Sequence, residues 1–255
     1  MNKPARDDEI DINYIESILR KKSREELERI STGIRELDIM FNGGFIKGSL
    51  VLLCGPPGSG KTTMALQFAF SAEENEKVLY ITLTEPKEKL TTYAKGYTFY
   101  DDDKIASGQI VFVDFDSIKE LIEKSAIGFT YDAFLSLIKS FIEKGNVKRL
   151  IIDSTSSLKT YFESKDEYRE FLMKLSKMAF AYKSIIMLVS ETESDSPLKV
   201  PLDFDAYISD VIIFLSLEVT PSGVLRWLQV LKARGTRYSD IRRTFKITED
   251  GIVFV

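Results

Sequence analysis

The 255-residue sequence contains no histidine and only one cysteine, Cys54. The absence of histidine excludes a Ser-His-Asp or Cys-His nucleophile, an imidazole general base and a histidine-ligated zinc site. One cysteine allows neither an intramolecular disulfide nor a cysteine-cluster metal site, and it suits a reducing compartment. Catalysis by this chain must therefore use carboxylates, lysine, arginine or a bound metal ion. Cys54 itself ends an apolar run and is predicted to be a buried strand residue rather than a nucleophile.

Long apolar runs are also missing from the sequence. No stretch of about 18 uncharged apolar residues is present, as a membrane-spanning helix would need, and the first residues lack the apolar segment of a secretory signal. We therefore expect a cytoplasmic protein that does not enter the membrane. The 35 basic and 39 acidic residues nearly balance, so the overall charge does not indicate nucleic-acid binding. A local basic cluster nevertheless lies between Arg226 and Arg243.

The chain divides into two regions of different character. Residues 1–30 are half charged and carry one apolar stripe at helical spacing after the candidate N-cap Asp11, formed by Ile12, Ile15, Ile18 and Leu19. This pattern predicts a charged helix and a linker, which either dock on another protomer or pack on their own domain. Residues 31–255 are predicted to form one folded domain.

Apolar runs of strand length alternate in this domain with two segments of helical periodicity, 134–142 and 168–182. Continuous apolar strands between helices are typical of a parallel sheet covered on both faces. The predicted strands of that sheet are 50–54, 78–83, 110–115, 150–152 and 185–189. Turn signals without helical periodicity separate the last four strands, 211–217, 225–231, 244–247 and 252–255. The predicted fold class is α/β, a mostly parallel central sheet flanked by helices with an antiparallel C-terminal extension.

A glycine-rich segment, GPPGSGKTT, joins the first predicted core strand to a helical pattern. It matches G-x-x-x-x-G-K-[ST], the phosphate-binding loop or P-loop, in the strand-to-helix context that the motif requires. Glycine lets the backbone approach phosphate oxygens, and the helix directs its first N–H groups at them. The motif predicts that Lys61 contacts the β- and γ-phosphates of ATP, that Thr62 binds Mg²⁺ and that Thr63 contacts the α-phosphate. The predicted nucleotide-binding residues of the segment are Gly55, Gly58, Ser59, Gly60, Lys61, Thr62 and Thr63.

Three carboxylates at predicted strand ends complete the candidate site. Asp153 follows a buried strand, where it either helps to hold Mg²⁺ or caps the next element. Glu85 follows the second core strand and is the candidate general base for the attacking water, although Thr84 could instead cap a helix with Glu85 in its first turn. Glu191 follows the fifth core strand and is either a γ-phosphate sensor or an ordinary strand-end residue.

Segments on both sides of the P-loop resemble one known family. Before the loop stand Ser31-Thr32-Gly33-Ile34, Leu37-Asp38, Gly43-Gly44 and Gly48-Ser49, and far beyond it stands Lys232-Ala233-Arg234-Gly235-Thr236. Over residues 31–255 this arrangement is similar to KaiC-like ATPases of the RecA/RadA superfamily, in particular to a single-domain RadA paralogue. The resemblance implies a RecA-type core that assembles with copies of itself into a ring, such as a hexamer, or a filament, with ATP bound between protomers. It also implies that Lys232 and Arg234 act on the γ-phosphate of the neighbouring protomer, as an arginine finger does.

Two positions depart from the family pattern. Where KaiC-like proteins commonly have two successive glutamates, this chain has Thr84 and Glu85, so hydrolysis is expected to be slow or to depend on Glu85 alone. Tyr238 stands where a histidine often follows the K-x-R-G motif.

Three functions are consistent with these observations. The leading hypothesis is an oligomeric Mg²⁺-dependent ATPase whose nucleotide state changes the contacts between protomers. The second is a nucleotide-gated regulator that binds ATP, hydrolyses it weakly and docks a protein partner. The third is a recombinase-like DNA repair accessory factor, and DNA binding stays open because the loop 192–205 carries four acidic residues against Lys199 alone.

Overall fold

The computed structural model describes residues 27–124, 129–192, 204–221 and 223–255. Its strands form a nine-stranded sheet and a separate two-stranded pair. The pair consists of β1 (Arg29–Ile30) and β2 (Phe45–Ile46), and the large sheet contains β3 (Leu50–Gly55), β4 (Lys77–Thr82), β5 (Ile110–Asp114), β6 (Val147–Asp153), β7 (Ile185–Glu191), β8 (Val211–Thr220), β9 (Gly223–Ala233), β10 (Arg243–Thr248) and β11 (Gly251–Phe254).

The strand order of the large sheet is β11-β10-β9-β8-β3-β7-β6-β4-β5. The six strands from β8 to β5 run parallel to one another, whereas β9, β10 and β11 continue the sheet from β8 in antiparallel steps. The predicted parallel core with an antiparallel C-terminal extension is therefore confirmed. Because parallel strands end at the same edge, the ends of β3, β4, β6 and β7 converge on one side of the sheet.

The first helix lies between β1 and β2, and the other helices connect the parallel strands. The helices are α1 (Arg35–Met40), α2 (Lys61–Phe70), α3 (Lys87–Ala94), α4 (Asp102–Ala106), α5 (Phe115–Glu123), α6 (Tyr131–Gly145), α7 (Thr155–Leu158), α8 (Lys165–Tyr182) and α9 (Phe204–Ile208), with a 3-10 turn at Lys159–Tyr161. The two periodic segments form α6 and α8, as predicted. Each of these two helices begins with a hydroxyl cap, because Thr130 accepts from the Ala133 N–H and Ser164 accepts from the Glu167 N–H.

The hydrophobic core has two layers, one on each face of the sheet. Along β3, Val51 and Leu53 face the layer that contains α2, whereas Leu50, Leu52 and Cys54 face the layer that contains α6 and α8. This alternation explains why the whole strand is apolar, since both of its faces are covered. Cys54 is fully buried as predicted, and burial raises the pKa of its thiol to about 12.

A buried ion pair ties the end of α2 to the sheet. Arg149 on β6 is 1% exposed, and its Nη2 lies 2.6 Å from Glu76 Oε2. The same guanidinium donates through Nη1 to the Phe68 carbonyl at 2.7 Å and to Ser71 Oγ at 2.8 Å. The ion pair and hydrogen bonds compensate for the burial of the Arg149 charge. They also fix the position of α2, the helix that begins at the P-loop.

Two predicted features lie outside the described residues. They are the N-terminal helix around residues 11–19 and most of the polar loop 192–205. Within the described part of the chain, no helix has the length and hydropathy that crossing a membrane requires.

Candidate nucleotide-binding site

The P-loop connects the buried strand β3 to α2 at the edge where the parallel strands end. Gly60 is the N-cap of α2 and has a φ of +102°, a left-handed conformation that favours glycine. A Cβ at Gly55 would meet the carbonyl oxygen of Leu215 at 2.2 Å, so the chain requires glycine there because the loop passes close to β8. The two glycines therefore allow the turn that directs the loop N–H groups toward a common point at the helix N-terminus.

Lys61, the first residue of α2, folds back over the loop. Its Nζ donates to the Gly55 carbonyl at 2.9 Å and to the Pro56 carbonyl at 3.0 Å. Burial lowers the pKa of Lys61, while the charges of Glu191 and Asp153 oppose that shift. The ammonium group is thus held at the loop by two neutral carbonyl acceptors. Phosphate oxygens can take the place of these carbonyls and form stronger, charge-assisted hydrogen bonds.

Asp153 and Thr62 lie together at the start of α2. Thr62 Oγ1 donates to Asp153 Oδ2 at 3.1 Å, and the hydroxyl of Tyr80 donates to the same oxygen at 2.7 Å. Burial raises the pKa of Asp153, and the two hydrogen bonds partly oppose the shift. The alternative role of Asp153 as a helix cap is wrong in this structure, because α7 begins at Thr155 with Ser154 at its N-cap. A hydroxyl and a carboxylate at this spacing are suitable oxygen ligands for Mg²⁺.

The loop also contains a buried polar atom without a partner. Ser59 Oγ is buried and makes no hydrogen bond to any described residue. The first N–H groups of a helix likewise have no acceptors within the helix. Unpaired donors and a nearby ammonium group at one helix N-terminus fit the phosphates of a nucleotide.

Glu85 follows β4 at the same edge of the sheet. Thr82, the last residue of β4, lies opposite Asp153 in the parallel register, and its hydroxyl donates to the Glu85 carbonyl at 2.6 Å. The Glu85 side chain is partly exposed and forms an ion pair with Lys89. The capping alternative is not observed, because α3 begins at Lys87 with Pro86 at its N-cap.

Glu191 is the last residue of β7 and lies opposite Gly55 in the β3–β7 register. Its backbone N–H donates to Ser156 Oγ at 2.9 Å, and its side chain is exposed. Its charge is the largest influence that opposes the lowered pKa of Lys61, so the carboxylate lies near the ammonium group of the P-loop.

Lys232 and Arg234 lie away from these residues, at the opposite edge of the sheet. Both donate to carbonyl oxygens at the end of α9, since Lys232 Nζ and Arg234 Nη2 lie 3.1 and 3.0 Å from Tyr207 O. Arg234 also forms an ion pair with Asp210 at 3.3 Å. Burial and then the charge of Arg234 lower the pKa of Lys232. The structure therefore does not bring these two cations to the P-loop of their own chain.

Three residues at the site were not predicted from the sequence. Arg226 Nε donates to the Gly58 carbonyl at 3.0 Å, Tyr97 Oη lies 3.2 Å from Thr63 Oγ1, and Tyr80 contacts Asp153. Arg226 stands between Leu225 and Trp227, and Tyr80 between Leu79 and Ile81, so a polar atom between apolar neighbours is the sequence signal that could have marked them. The contact of Tyr97 arises from tertiary packing alone.

Fold and loop geometry together define the class of this chain, a P-loop protein with a RecA-like sheet. The family follows from comparison with known proteins. The family model described as ATPase: KaiC matches residues 30–255, and the chain belongs to that family.

The chain is also similar to individual relatives. It is 28% identical to a UPF0273 protein of Methanopyrus kandleri, over 89% of this chain and 91% of the relative. It is 26% identical to the circadian clock oscillator protein KaiC of Parathermosynechococcus lividus, over 87% of this chain but only 41% of that protein. The crystal structure of a KaiC-like protein from Pyrococcus horikoshii superposes with a TM-score of 0.75 at 30% identity, covering 90% of this chain and 99% of that one.

Proposed function

We propose that this protein is an oligomeric ATPase that binds ATP with Mg²⁺ and hydrolyses it at sites shared between protomers. The observation that carries the proposal is the contact between Thr62 and Asp153 at the N-terminus of α2, 3.1 Å from oxygen to oxygen. Membership of this ATPase family supports ATP as the nucleotide and the P-loop as the segment that binds its phosphates.

On the protomer that supplies the P-loop, each residue has a defined task. Lys61 exchanges its two backbone acceptors for the β- and γ-phosphates, and Ser59 and the loop N–H groups bind phosphate oxygens. Thr62 and Asp153 hold Mg²⁺. Bound there, Mg²⁺ neutralises charge that develops on the phosphates.

Glu85 is the proposed general base. It lies at the strand edge where open α/β sheets bind their ligands, and the described structure gives it no capping role. Its side chain forms an ion pair with Lys89, which lies four residues further along the chain on α3. Glu191, close to the charge of Lys61, is the proposed sensor of the γ-phosphate.

The register of the sheet supports a role for Lys232 and Arg234 on a neighbouring protomer. Ala233, which lies between them, is opposite Val211, and Val211 is opposite Val51 near the beginning of β3. The P-loop begins four residues further along β3, a distance of about 13 Å along the strand. Cations at that edge can act on ATP only across an interface with another copy, and such an arginine contributes about 10³ to 10⁵ in rate.

A second candidate function is a nucleotide-gated regulator that hydrolyses ATP very slowly. Thr84 in place of the first of two successive glutamates favours it, and so does the ion pair between Glu85 and Lys89. The two functions differ in turnover but share nucleotide binding.

Replacement of Lys61 tests the shared step. Lys61→Ala should weaken ATP binding by about 10- to 100-fold, because a charge-assisted contact to phosphate is lost. Lys104→Ala is the matched control, because Lys104 also donates to two backbone carbonyls, those of Phe70 and Ala72. Affinity is measured by equilibrium titration with a fluorescent ATP analogue. Unchanged affinity in Lys61→Ala would contradict the proposed binding site.

A further inference from the structure

Tyr80 is a polar side chain that the proposed mechanism leaves without a task. It lies on β4, is fully buried, and donates from its hydroxyl to Asp153 Oδ2 at 2.7 Å. Its ring packs against Phe112 with a centroid distance of 5.2 Å. A phenylalanine would provide the same packing, so the hydroxyl group is the feature that needs an explanation.

The sheet fixes the relative position of the two side chains. Tyr80 lies opposite Ile151 in the register of β4 and β6, and Asp153 is two residues further along β6. Side chains two residues apart on a strand share a face, and neighbouring strands lie about 4.8 Å apart. The phenol therefore reaches the carboxylate from a rigid part of the fold rather than from a loop.

Thr62 donates to the same carboxylate oxygen, but its contact is of a different kind. Its hydroxyl belongs to the P-loop helix and is the group that binds Mg²⁺ in the proposed mechanism. Coordination of Mg²⁺ would use a lone pair of the Thr62 hydroxyl oxygen and would leave its O–H able to donate to Asp153. Tyr80 lies on a core strand outside the P-loop, so its hydrogen bond supplies a second donor to Asp153 that does not depend on the P-loop helix.

We propose that Tyr80 is a positioning residue for the magnesium site, and that its hydroxyl holds the Asp153 carboxylate in the orientation that meets Mg²⁺ and nucleotide. The proposal rests on the metal-binding role of Asp153 proposed above. Removing a hydrogen-bond partner of a metal-binding carboxylate typically lowers metal affinity by about 10- to 100-fold.

The experiment measures how strongly Mg²⁺ enhances nucleotide binding, independently of turnover. The dissociation constant of a fluorescent ATP analogue is determined once in excess EDTA and once in saturating Mg²⁺, and the ratio of the two values is the enhancement. Tyr80→Phe should lower the enhancement by about tenfold and leave the affinity in EDTA close to that of the unmodified protein. Tyr168→Phe is the matched control, because Tyr168 is also buried and donates to a buried aspartate, Asp205, at 2.6 Å.

Asp153→Asn distinguishes a failure of the Tyr80 proposal from a failure of the proposed metal site. If it abolishes the enhancement while Tyr80→Phe behaves like Tyr168→Phe, Tyr80 is only a packing residue and this inference is wrong, whereas the proposed metal site stands. If Asp153→Asn leaves the enhancement intact, both proposals fail. In the Asp153→Asn background, Tyr80→Phe should have no further effect on the enhancement.

A second substitution covers the case in which Tyr80→Phe does not fold. Site-specific 3-fluorotyrosine at position 80 keeps the ring and the hydroxyl but makes the phenol a stronger hydrogen-bond donor. The proposal then expects the Mg²⁺ enhancement to differ from that of the unmodified protein, and an identical enhancement in the folded protein overturns it.

Discussion

Glu85 is the residue on which the choice between an ATPase and a regulator depends. Glu85→Gln should retain ATP binding and lower turnover by about 10² or more, because a general base contributes about 10² to 10⁴ in rate. Glu88→Gln is the matched control, since Glu88 is an exposed carboxylate three residues further along the chain. Steady-state phosphate release measures both variants. A loss of less than a few-fold in Glu85→Gln would favour the regulator.

Residues of the site differ in how far the sequence reveals them. Lys61 and Thr62 belong to a motif of fixed spacing, so their positions beside the helix N-terminus follow from the sequence. Asp153 was predicted from its place after an apolar strand, and the structure brings it to Thr62. Tyr80 and Arg226 could not be found in this way, because their contacts depend on strand order, which a single sequence does not specify.

The P-loop as an element depends on close packing against β8. Gly55→Ala should lower the free energy of unfolding by about 3 kcal/mol or more, because the new Cβ would lie 2.2 Å from the Leu215 carbonyl oxygen. Gly108→Ala is the matched control, because Gly108 has a φ of +71° with nothing within 4 Å of an added Cβ. Only backbone strain, about 1 kcal/mol, is expected there. Denaturant titration measures both, and equal losses would contradict a steric requirement at Gly55.

The helices and strands were predicted correctly where the pattern of apolar residues is long and regular. The buried strand β3 and the helices α6 and α8 correspond closely to the predicted segments. The two-residue strands β1 and β2 and the short helices α1, α4, α7 and α9 were not predicted, because they are too short to show periodicity and depend on tertiary contacts. The nine-residue helix α5 was also missed, because its first residue, Phe115, was assigned to the preceding strand.

At the scale of the whole molecule, the antiparallel strand β9 has cationic residues near both of its ends, at opposite edges of the sheet. Arg226, toward its beginning, contacts the P-loop of its own chain, whereas Lys232, near its end, donates to carbonyls of α9. Six residues of strand separate the two, about 20 Å. Arg226 therefore contacts the P-loop of its own chain, whereas Lys232 and Arg234 lie far from that loop. In the proposed active site, these two cations act on the ATP of a second copy of the chain.

The most direct test of this shared site is a mixing experiment with Arg234→Ala and Lys61→Ala. Each variant alone should have almost no ATP turnover, because every interface lacks either the finger or the phosphate-binding lysine. In equal mixtures that co-assemble, about a quarter of the interfaces would join an intact P-loop to an intact Arg234, so turnover should reappear. Arg237→Ala, which removes a nearby exposed arginine, is the control and should stay active alone. Co-assembled mixtures without recovered turnover, or full activity of Arg234→Ala alone, would contradict the account.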